Sequence, residues 1–217
     1  MKKLILSFLL TVMPVIGLAA GGGVQLDDAD IDLTDQASLQ HGAKLFMNYC
    51  LSCHSAKYQR YNRMARDLGL TEEEVKDNLM FTTDKIGDTM NIAMNPADAE
   101  KWFGVAPPDL SVIARARGVD WIYTYLRSFV PDEKRPFGVN NTVFPDVGMP
   151  HVLWKLQQDQ PAEKFDSDMR DLTAFLSYIS EPIQVERQRL GVWVLLFIAV
   201  FFVLAYLLKK EYWKDIH

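Results

Sequence analysis

Nineteen consecutive residues near the end of the chain, 190–208 (LGVWVLLFIAVFFVLAYLL), carry no charged side chain. As a helix rising about 1.5 Å per residue, this segment would be roughly 28 Å long, close to the hydrocarbon thickness of a bilayer. Trp193, Tyr206, Tyr212 and Trp213 lie near its two ends, where aromatic side chains commonly meet the membrane–water interface. We therefore predict a transmembrane helix that contacts membrane lipid.

The beginning of the chain has the composition of a secretory signal. Lys2 and Lys3 precede an apolar run over residues 4–16, and the small residues of GLAA follow. This order of charged, apolar and small residues predicts a cleaved signal peptide over residues 1–20. The alternative is an N-terminal membrane anchor, for which the apolar run is short.

Lysines crowd the far end of the predicted membrane helix, in the tail formed by residues 209–217. The positive-inside rule places such a tail in the cytoplasm. Arg187 and Arg189 on the near side weaken this inference, but a cleaved signal would export the intervening segment in any case. Residues 21–189 are therefore predicted to form a domain on the periplasmic side of the inner (cytoplasmic) membrane, held by a single-pass anchor.

The exported segment is acidic, because residues 21–190 hold 26 Asp and Glu against 18 Lys and Arg. This excess argues against binding of nucleic acid through phosphates, and it would attract a basic partner. Two clusters stand out, 27–35 (DDADIDLTD) and 71–77 (TEEEVKD). In the second, Thr71 and Glu74 have the spacing of a capping box, so an ordinary helix start is the preferred interpretation there.

The chain contains two cysteines, Cys50 and Cys53, and His54 follows directly. A disulfide between them would constrain the unfolded chain little, and a redox dithiol would need thioredoxin-like βαβ surroundings that the neighbouring sequence does not suggest. Cys-x-x-Cys-His is the attachment pattern of c-type haem, in which two thioether bonds hold the macrocycle and the adjacent imidazole ligates the iron. We therefore predict one covalently bound haem c, with His54 as an axial ligand.

Met149 is the favoured candidate for the opposite face of the iron. It lies between glycine and proline in FPDVGMPHVLW, a rigid and irregular stretch suited to presenting a thioether to a metal. Met90 and Met94 in GDTMNIAMNP are alternatives, and His151 is a third. The choice matters because the second ligand sets the reduction potential and decides whether small gases can bind.

The domain is predicted to be all-α with long loops. Helices are expected over residues 71–80 and 109–128, and Gly118 is expected to break the second into two. The intervening stretches NPADAEKWFGVAPPD and VPDEKRPFGVNNTVFPDVGMP are rich in Pro, Gly and Asn, and we predict that they are loops. Loops of this length inside a compact domain are usually functional, and here they would wrap a large apolar cofactor.

Two amphipathic helices are predicted at the ends of the domain. The first lies in ASLQHGAKLFMNYC, and the second lies in SDMRDLTAFLSYISEP with Ser167 as its N-cap and a proline as its stop. Gly42 and Phe46 of the first helix are expected to lie at a crossing with the second. Phe175 or Tyr178 would face them, an arrangement that resembles the crossed terminal helices of small c-type cytochromes.

Four features follow one another along the chain: CLSCHSAKYQRYNRMARDLG, APPDLSVIARARG, VFPDVGMPHVLW, and then a helix with a C-terminal anchor. Cys-x-x-Cys-His alone would indicate only a c-type cytochrome. In this order, over nearly the whole mature chain, the features resemble the cytochrome c1 family, the haem subunits of ubiquinol–cytochrome c reductase (bc1) complexes. The chain is compact, as in bacterial members, and leaves no room for the long insertions of mitochondrial ones.

The resemblance implies a role for several residues. The expected cofactor-binding residues are the haem-bonding Cys50 and Cys53, the iron ligands His54 and Met149, Pro107 and Pro108 packed near the ring, and Arg115 or Arg117 paired with a haem propionate. A bidentate guanidinium suits a partly buried carboxylate. The alternative for either arginine is a solvated helix face.

The sequence shows no nucleophile–base set and no pair of carboxyl groups placed for catalysis, so no independent catalytic site is predicted. Histidine–methionine ligation stabilises ferrous iron and suits one-electron transfer. The resemblance implies an electron-transfer subunit of an oxidoreductase complex, beside cytochrome b, that receives electrons from a Rieske iron–sulfur protein and passes them to a cytochrome c. The alternatives are a membrane-tethered shuttle, the haem subunit of a terminal oxidase or dehydrogenase, and a haem-based sensor with an open sixth position.

Overall fold

The computed structural model describes residues 24–216, and the predicted signal peptide over residues 1–20 lies outside this range. The helices are α1 (Gln36–Leu45), α2 (Tyr61–Asp67), α3 (Glu72–Leu79), α4 (Pro96–Phe103), α5 (Ile113–Arg117), α6 (Val119–Arg127), α7 (Trp154–Asp159), α8 (Ala162–Ser180) and α9 (Gln184–Tyr212). Two short antiparallel pairs join β1 (Ala56–Arg60) to β2 (Thr89–Met90) and β3 (Phe129–Pro131) to β4 (Val139–Asn141). The predicted all-α class with one C-terminal apolar helix is confirmed.

The core is centred on the crossing of α1 and α8. Gly42 lies at the closest approach, since a Cβ atom added there would lie 2.1 Å from the carbonyl oxygen of Asp171 and 2.8 Å from the Cβ of Phe175. The rings of Phe46 and Phe175 pack beside it with their centroids 5.5 Å apart. The predicted crossing is confirmed, and position 42 accepts only a residue without a side chain.

The start of α8 differs from the prediction. Ser167 is not its N-cap, because the helix begins five residues earlier at Ala162, directly after Pro161. The apolar spacing of the helix extends back to Phe165, which is buried in the core. Burial of this additional turn explains why the helix begins before the serine. The helix ends at Ser180, ahead of the proline, as predicted.

Helix α4 occupies part of a stretch that was predicted to be a loop, and this part of the prediction is wrong. Asn95 accepts a hydrogen bond from the Ala97 amide as N-cap, Pro96 takes the first helical position, and Gly104 ends the helix at a φ of 77°. Asparagine and proline at the start and glycine at the end are ordinary helix signals. The same residue types are abundant in the surrounding sequence, so these helix signals were not recognised there.

Two other local predictions are confirmed. Thr71 and Glu74 form a reciprocal capping box at the start of α3. Gly118 has a φ of 87° and separates α5 from α6. Since that φ lies in the region that favours glycine, the break is a property of the sequence at this position.

The acidic segment 27–35 is tied to the domain by specific contacts. A carboxylate oxygen of Asp27 lies 2.7 Å from the Arg127 guanidinium, and the Ala29 amide donates a hydrogen bond of 3.0 Å to the Asp120 carboxylate. The methyl group of Ala29 is fully buried. Part of the cluster's charge therefore fixes the N-terminal segment to α6.

Helix α9 extends beyond the predicted membrane span of residues 190–208 at both ends. It has 29 residues, and its most apolar 18-residue window has a mean hydropathy of 2.8. None of its residues is buried within the described part of the chain, and Arg187 in its first turns pairs with Glu181 just before the helix. By its length and composition, α9 is therefore long and apolar enough to cross a membrane.

Candidate haem site

An apolar cavity of about 370 Å³ lies beside the crossing of α1 and α8. Its walls come from the Cys-x-x-Cys-His motif, the end of α4 with the stretch that follows it, helices α5 and α6, the loop before α7, and helix α8. The lining residues include Cys50, Cys53, His54, Pro107, Pro108, Arg117, Trp121, Tyr125, Phe144, Val147, Gly148, Met149, Leu172 and Leu176. The cavity thus brings together most of the residues predicted to hold a haem.

A π-helical turn, Phe46–Cys50, continues α1 and delivers the first cysteine to the cavity. The Leu51 amide donates to the Phe46 carbonyl across this widened turn, at 3.0 Å. The amides of Cys53 and His54 then both donate to the Cys50 carbonyl, at 3.0 and 2.9 Å. This tight fold places both sulfurs and the imidazole on one wall, and π-turns inside helices are frequent at functional sites.

Both cysteines are free within the described part of the chain. Burial raises the pKa of the Cys50 thiol to about 12, with a smaller contribution from Cys53. A thiol of this kind has little thiolate character near neutral pH, so Cys50 is poorly suited to start disulfide exchange. Two free thiols facing one apolar cavity suit thioether attachment of a macrocycle.

His54 is oriented for metal ligation by a backbone carbonyl. Its Nδ1–H donates to the Pro108 oxygen at 2.7 Å, which fixes the tautomer and leaves Nε2 as the free ligand atom. Desolvation lowers the pKa of His54, opposed in part by this hydrogen bond and by the charge of Asp109. The imidazole is therefore kept in the neutral form that a metal binds.

The prolines expected near the ring reach the cavity because the residues after them bind the start of β1 and the residue before it. The Asp109 carboxylate accepts from the Lys57 amide at 3.1 Å, and the Leu110 amide donates to the Ser55 carbonyl at 2.8 Å. Pro107 and Pro108 both line the cavity as a result. The structural role of Asp109 was missed, although its place directly after two prolines was visible in the sequence.

Met149 lines the same cavity as His54, and its sulfur accepts a hydrogen bond of 3.4 Å from the Tyr125 hydroxyl. Burial raises the pKa of Tyr125 to about 12, so the phenol remains a donor at neutral pH. The alternative methionines are elsewhere: Met90 is fully buried and paired with β1, and Met94 is not among the residues around the cavity. Of the three methionines considered, the geometry favours Met149.

His151, the third alternative, is not among the residues that line the cavity. Its ring stacks on Phe129 with centroids 4.6 Å apart, and its Nε2 lies 2.7 Å from the Gln157 amide oxygen. Burial lowers the pKa of His151, and the hydrogen bond to Gln157 partly offsets this effect. These contacts assign His151 a packing role.

The two candidate arginines have different surroundings. Arg117 lines the cavity, and its guanidinium lies 5.0 Å from the ring centre of Trp121 and 5.7 Å from that of Phe144. Arg115 is 65% exposed and lies 4.0 Å from the Glu181 carboxylate. The structure therefore brings Arg117 to the cavity and leaves Arg115 outside it.

A second group of potential metal ligands lies where α1 crosses α8. His41 Nδ1 is 2.8 Å from an Asp171 oxygen and 3.8 Å from an Asp168 oxygen. Lys164 pairs with Asp168, and the Ser38 hydroxyl donates to Asp171 at 2.6 Å. Since each carboxylate already has partners, this group is an internal network that stabilises the crossing.

The model of the cytochrome C1 family matches residues 29–216 of the chain. The chain belongs to the cytochrome c1 family. It is 51% identical to cytochrome c1 of Allochromatium vinosum over the full length of both chains. It is also 46% identical to a Nitrosomonas europaea protein named ammonia monooxygenase gamma subunit, covering 100% of this chain and 98% of that one.

Two further similarities are more distant. Mitochondrial cytochrome c1 of Saccharomyces cerevisiae is 27% identical and is aligned over 92% of this chain and 74% of its own. A solved chain of a hyperthermophilic respiratory Complex III aligns over 100% of this chain and 98% of its own, with 17% identity and a TM-score of 0.49. Family membership rests on the sequence matches.

Membership in this family implies a haem c cofactor, and the cavity residues fit it. Two free thiols, a histidine of fixed tautomer and a methionine sulfur face one largely apolar space. Among the described lining residues, Arg117 is the one with a permanent charge, as a propionate partner requires.

Proposed function

We propose that the chain is a membrane-anchored mono-haem c-type cytochrome, the c1 subunit of a quinol–cytochrome c reductase. It would pass single electrons from a Rieske iron–sulfur protein to a cytochrome c. The convergence of Cys50, Cys53, His54 and Met149 on one apolar cavity carries this proposal. Family membership supports the assignment to the complex.

Haem c supplies the change between ferric and ferrous iron, and the chain's own residues set the conditions for it. His54, oriented by the Pro108 carbonyl, and Met149, contacted by Tyr125, would hold the iron through an imidazole nitrogen and a thioether sulfur. A thioether ligand and apolar surroundings both favour the ferrous form and raise the reduction potential. With both residues as ligands, small gases would be kept from the iron.

The anchor would hold the domain within reach of its partners. In our proposal residues 21–189 lie on the periplasmic side of the inner membrane, residues 190–208 cross it beside cytochrome b, and residues 209–217 form the cytoplasmic tail. The apolar surface of α9, which has no protein partner in the described chain, supports this arrangement. A tethered domain meets its electron donor without free diffusion, because tethering raises the effective concentration.

Purification of the membrane-extracted protein tests the assignment to the complex. We expect a cytochrome b and an iron–sulfur protein to co-purify, and quinol added to the preparation to reduce the c-type haem. A haem protein that purifies alone and is not reduced by quinol would indicate the tethered shuttle. Co-purification with a terminal oxidase or a dehydrogenase instead would indicate a haem subunit of that enzyme.

Covalent attachment of the haem is tested at the two cysteines. A Cys50→Ser, Cys53→Ser double variant is expected to lose all haem that stays with the chain on a denaturing gel, because both thioether bonds are removed. Each single variant is expected to retain a reduced amount with a shifted absorption band. Full haem retention by the denatured double variant would show that the attachment lies elsewhere.

A further inference from the structure

The loop that carries Met149 is held in place by side chains. After β4 ends at Asn141, the chain reaches the methionine without regular backbone pairing. Asp146 within it is a non-glycine residue at a φ of 62°, a conformation that such residues adopt at some cost. A segment of this kind keeps its shape only if other groups hold it.

Arg135 supplies three of the contacts that hold the loop. Its Nη1 lies 3.1 Å from the Asp146 carboxylate, and its Nη2 donates to the carbonyl oxygens of Asp146 at 2.7 Å and Val147 at 3.1 Å. The side chain is 24% exposed, and its Nε is buried with no hydrogen-bond partner within the described residues. The hydrogen bonds of this guanidinium are therefore directed to the two residues before the Gly-Met-Pro turn.

Two asparagines of β4 also hold this stretch. The Asn140 side-chain oxygen accepts from the Asp146 amide at 2.9 Å. The Asn141 side-chain amide donates to the Tyr125 carbonyl at 2.8 Å and so links the loop to α6. The hydroxyl of the same Tyr125 contacts the Met149 sulfur. Arg135 and the two asparagines together hold the loop through side-chain hydrogen bonds.

We propose that Arg135 is a positioning residue for the axial sulfur: it holds the loop so that Met149 faces the iron bound by His54. The inference rests on the proposed ligation of iron by Met149. Val147, whose carbonyl Arg135 binds, itself lines the cavity two residues before the methionine. Because thioether–iron bonds are weak, the geometry of the loop decides how often the sulfur is in place. Loss of the arginine therefore exposes the sixth position.

The test uses the full-length haem protein in detergent and compares Arg135→Gln with wild type. Charge-assisted hydrogen bonds are the strong ones, so we expect the fraction of reduced haem that binds carbon monoxide to rise about tenfold or more. The midpoint potential is expected to fall, and the charge-transfer band of sulfur-ligated ferric haem to weaken. Arg66→Gln is the matched control, since Arg66 is exposed, pairs with Asp67 and is not among the cavity residues.

Two further variants distinguish a role of Arg135 in positioning the Met149 sulfur from a role in folding alone. Arg135→Lys keeps the charge but cannot reach all three acceptors together, so an intermediate carbon monoxide reactivity is expected even if Arg135→Gln fails to retain haem. Asp146→Asn keeps both contacts between Arg135 and the backbone carbonyls. Its carbon monoxide reactivity is therefore expected to be closer to that of wild type than the reactivity of Arg135→Gln. If the arginine variants lose thermal stability but keep wild-type potential, charge-transfer band and carbon monoxide response, Arg135 only stabilises the fold and the inference is wrong.

Failure of the inference is distinguishable from failure of the proposed function. A wild-type protein with the sulfur-ligation band and no carbon monoxide response, together with unchanged arginine variants, overturns the inference alone. A wild-type protein without that band overturns the proposed ligation and the inference with it.

Discussion

Replacement of Met149 by leucine is expected to lower the midpoint potential of the haem and to open its sixth position to carbon monoxide. The leucine has nearly the volume of methionine, so the cavity keeps its shape while the sulfur is lost. Without the thioether, the ferrous form loses a ligand that stabilises it. We expect a fall on the order of 0.1–0.3 V, a fraction of the roughly 0.8 V over which axial ligands set haem potentials.

Redox titration and carbon monoxide difference spectra of the purified variant measure both effects. Met94→Leu is the matched control, because Met94 is a half-buried methionine that does not line the cavity. The Met94→Leu variant is expected to keep the wild-type midpoint potential and to bind no carbon monoxide. A wild-type result for Met149→Leu, with an effect in Met94→Leu or in a Met90 variant, would place the ligand elsewhere.

Replacement of Gly42 by alanine is expected to cost about 3 kcal/mol of stability, at the upper end of ordinary overpacking effects. The new methyl group would lie 2.1 Å from a backbone oxygen of α8, and backbone cannot rotate away as a side chain can. Helices α1 and α8 would have to separate. The motion would disturb Leu172 and Leu176, which line the cavity, so reduced haem content is expected as well.

Thermal unfolding of the detergent-solubilised protein checks this result, with an expected fall in Tm of roughly 10 °C for a domain of this size. Gly87→Ala is the matched control, since a Cβ atom at Gly87 would meet nothing within 4 Å and its φ is ordinary. It is expected to change stability by no more than about 0.5 kcal/mol. Equal Tm values for the two variants would show that the close helix crossing is absent in solution.

The features predicted correctly are those that depend on residues close together in the chain. The capping box at Thr71 and the helix break at Gly118 each follow from a few neighbouring residues. The haem c cofactor that the Cys-x-x-Cys-His motif predicted agrees with the family, and its attachment at Cys50 and Cys53 stays a prediction. The crossing at Gly42 also followed, because small c-type cytochromes share it. Placement of Met149 in the cavity agrees with its rigid Gly-Met-Pro setting, and its ligation of iron stays a prediction.

The features that were missed depend on contacts between distant segments. Arg135 binds the loop eleven and twelve residues further on, and Asp109 binds an amide more than fifty residues earlier. Nothing local marks the role of Arg135, because an arginine in a polar loop is usually solvated. The place of Asp109 after two prolines is visible in the sequence, but it does not indicate which amide the carboxylate binds. The choice between Arg115 and Arg117 likewise needed the orientation of α5 relative to α6.

The ion pair of the acidic segment 27–35 is another contact between distant residues that the sequence does not reveal. Asp27 lies 100 residues from Arg127 in the sequence and forms an ion pair with it. From the sequence alone, a surface for docking a basic partner and an internal ion pair are equally compatible with such a cluster. Only the positions of the two side chains in the fold distinguish them.

The most direct test of the proposed electron-carrier role is the reduced-minus-oxidised spectrum of the wild-type protein, recorded with and without carbon monoxide. If His54 and Met149 fill both axial positions, the protein gives a c-type haem spectrum that the gas leaves unchanged. Ready binding of carbon monoxide by the reduced native protein would contradict this role. It would show an open sixth position and favour a haem-based sensor.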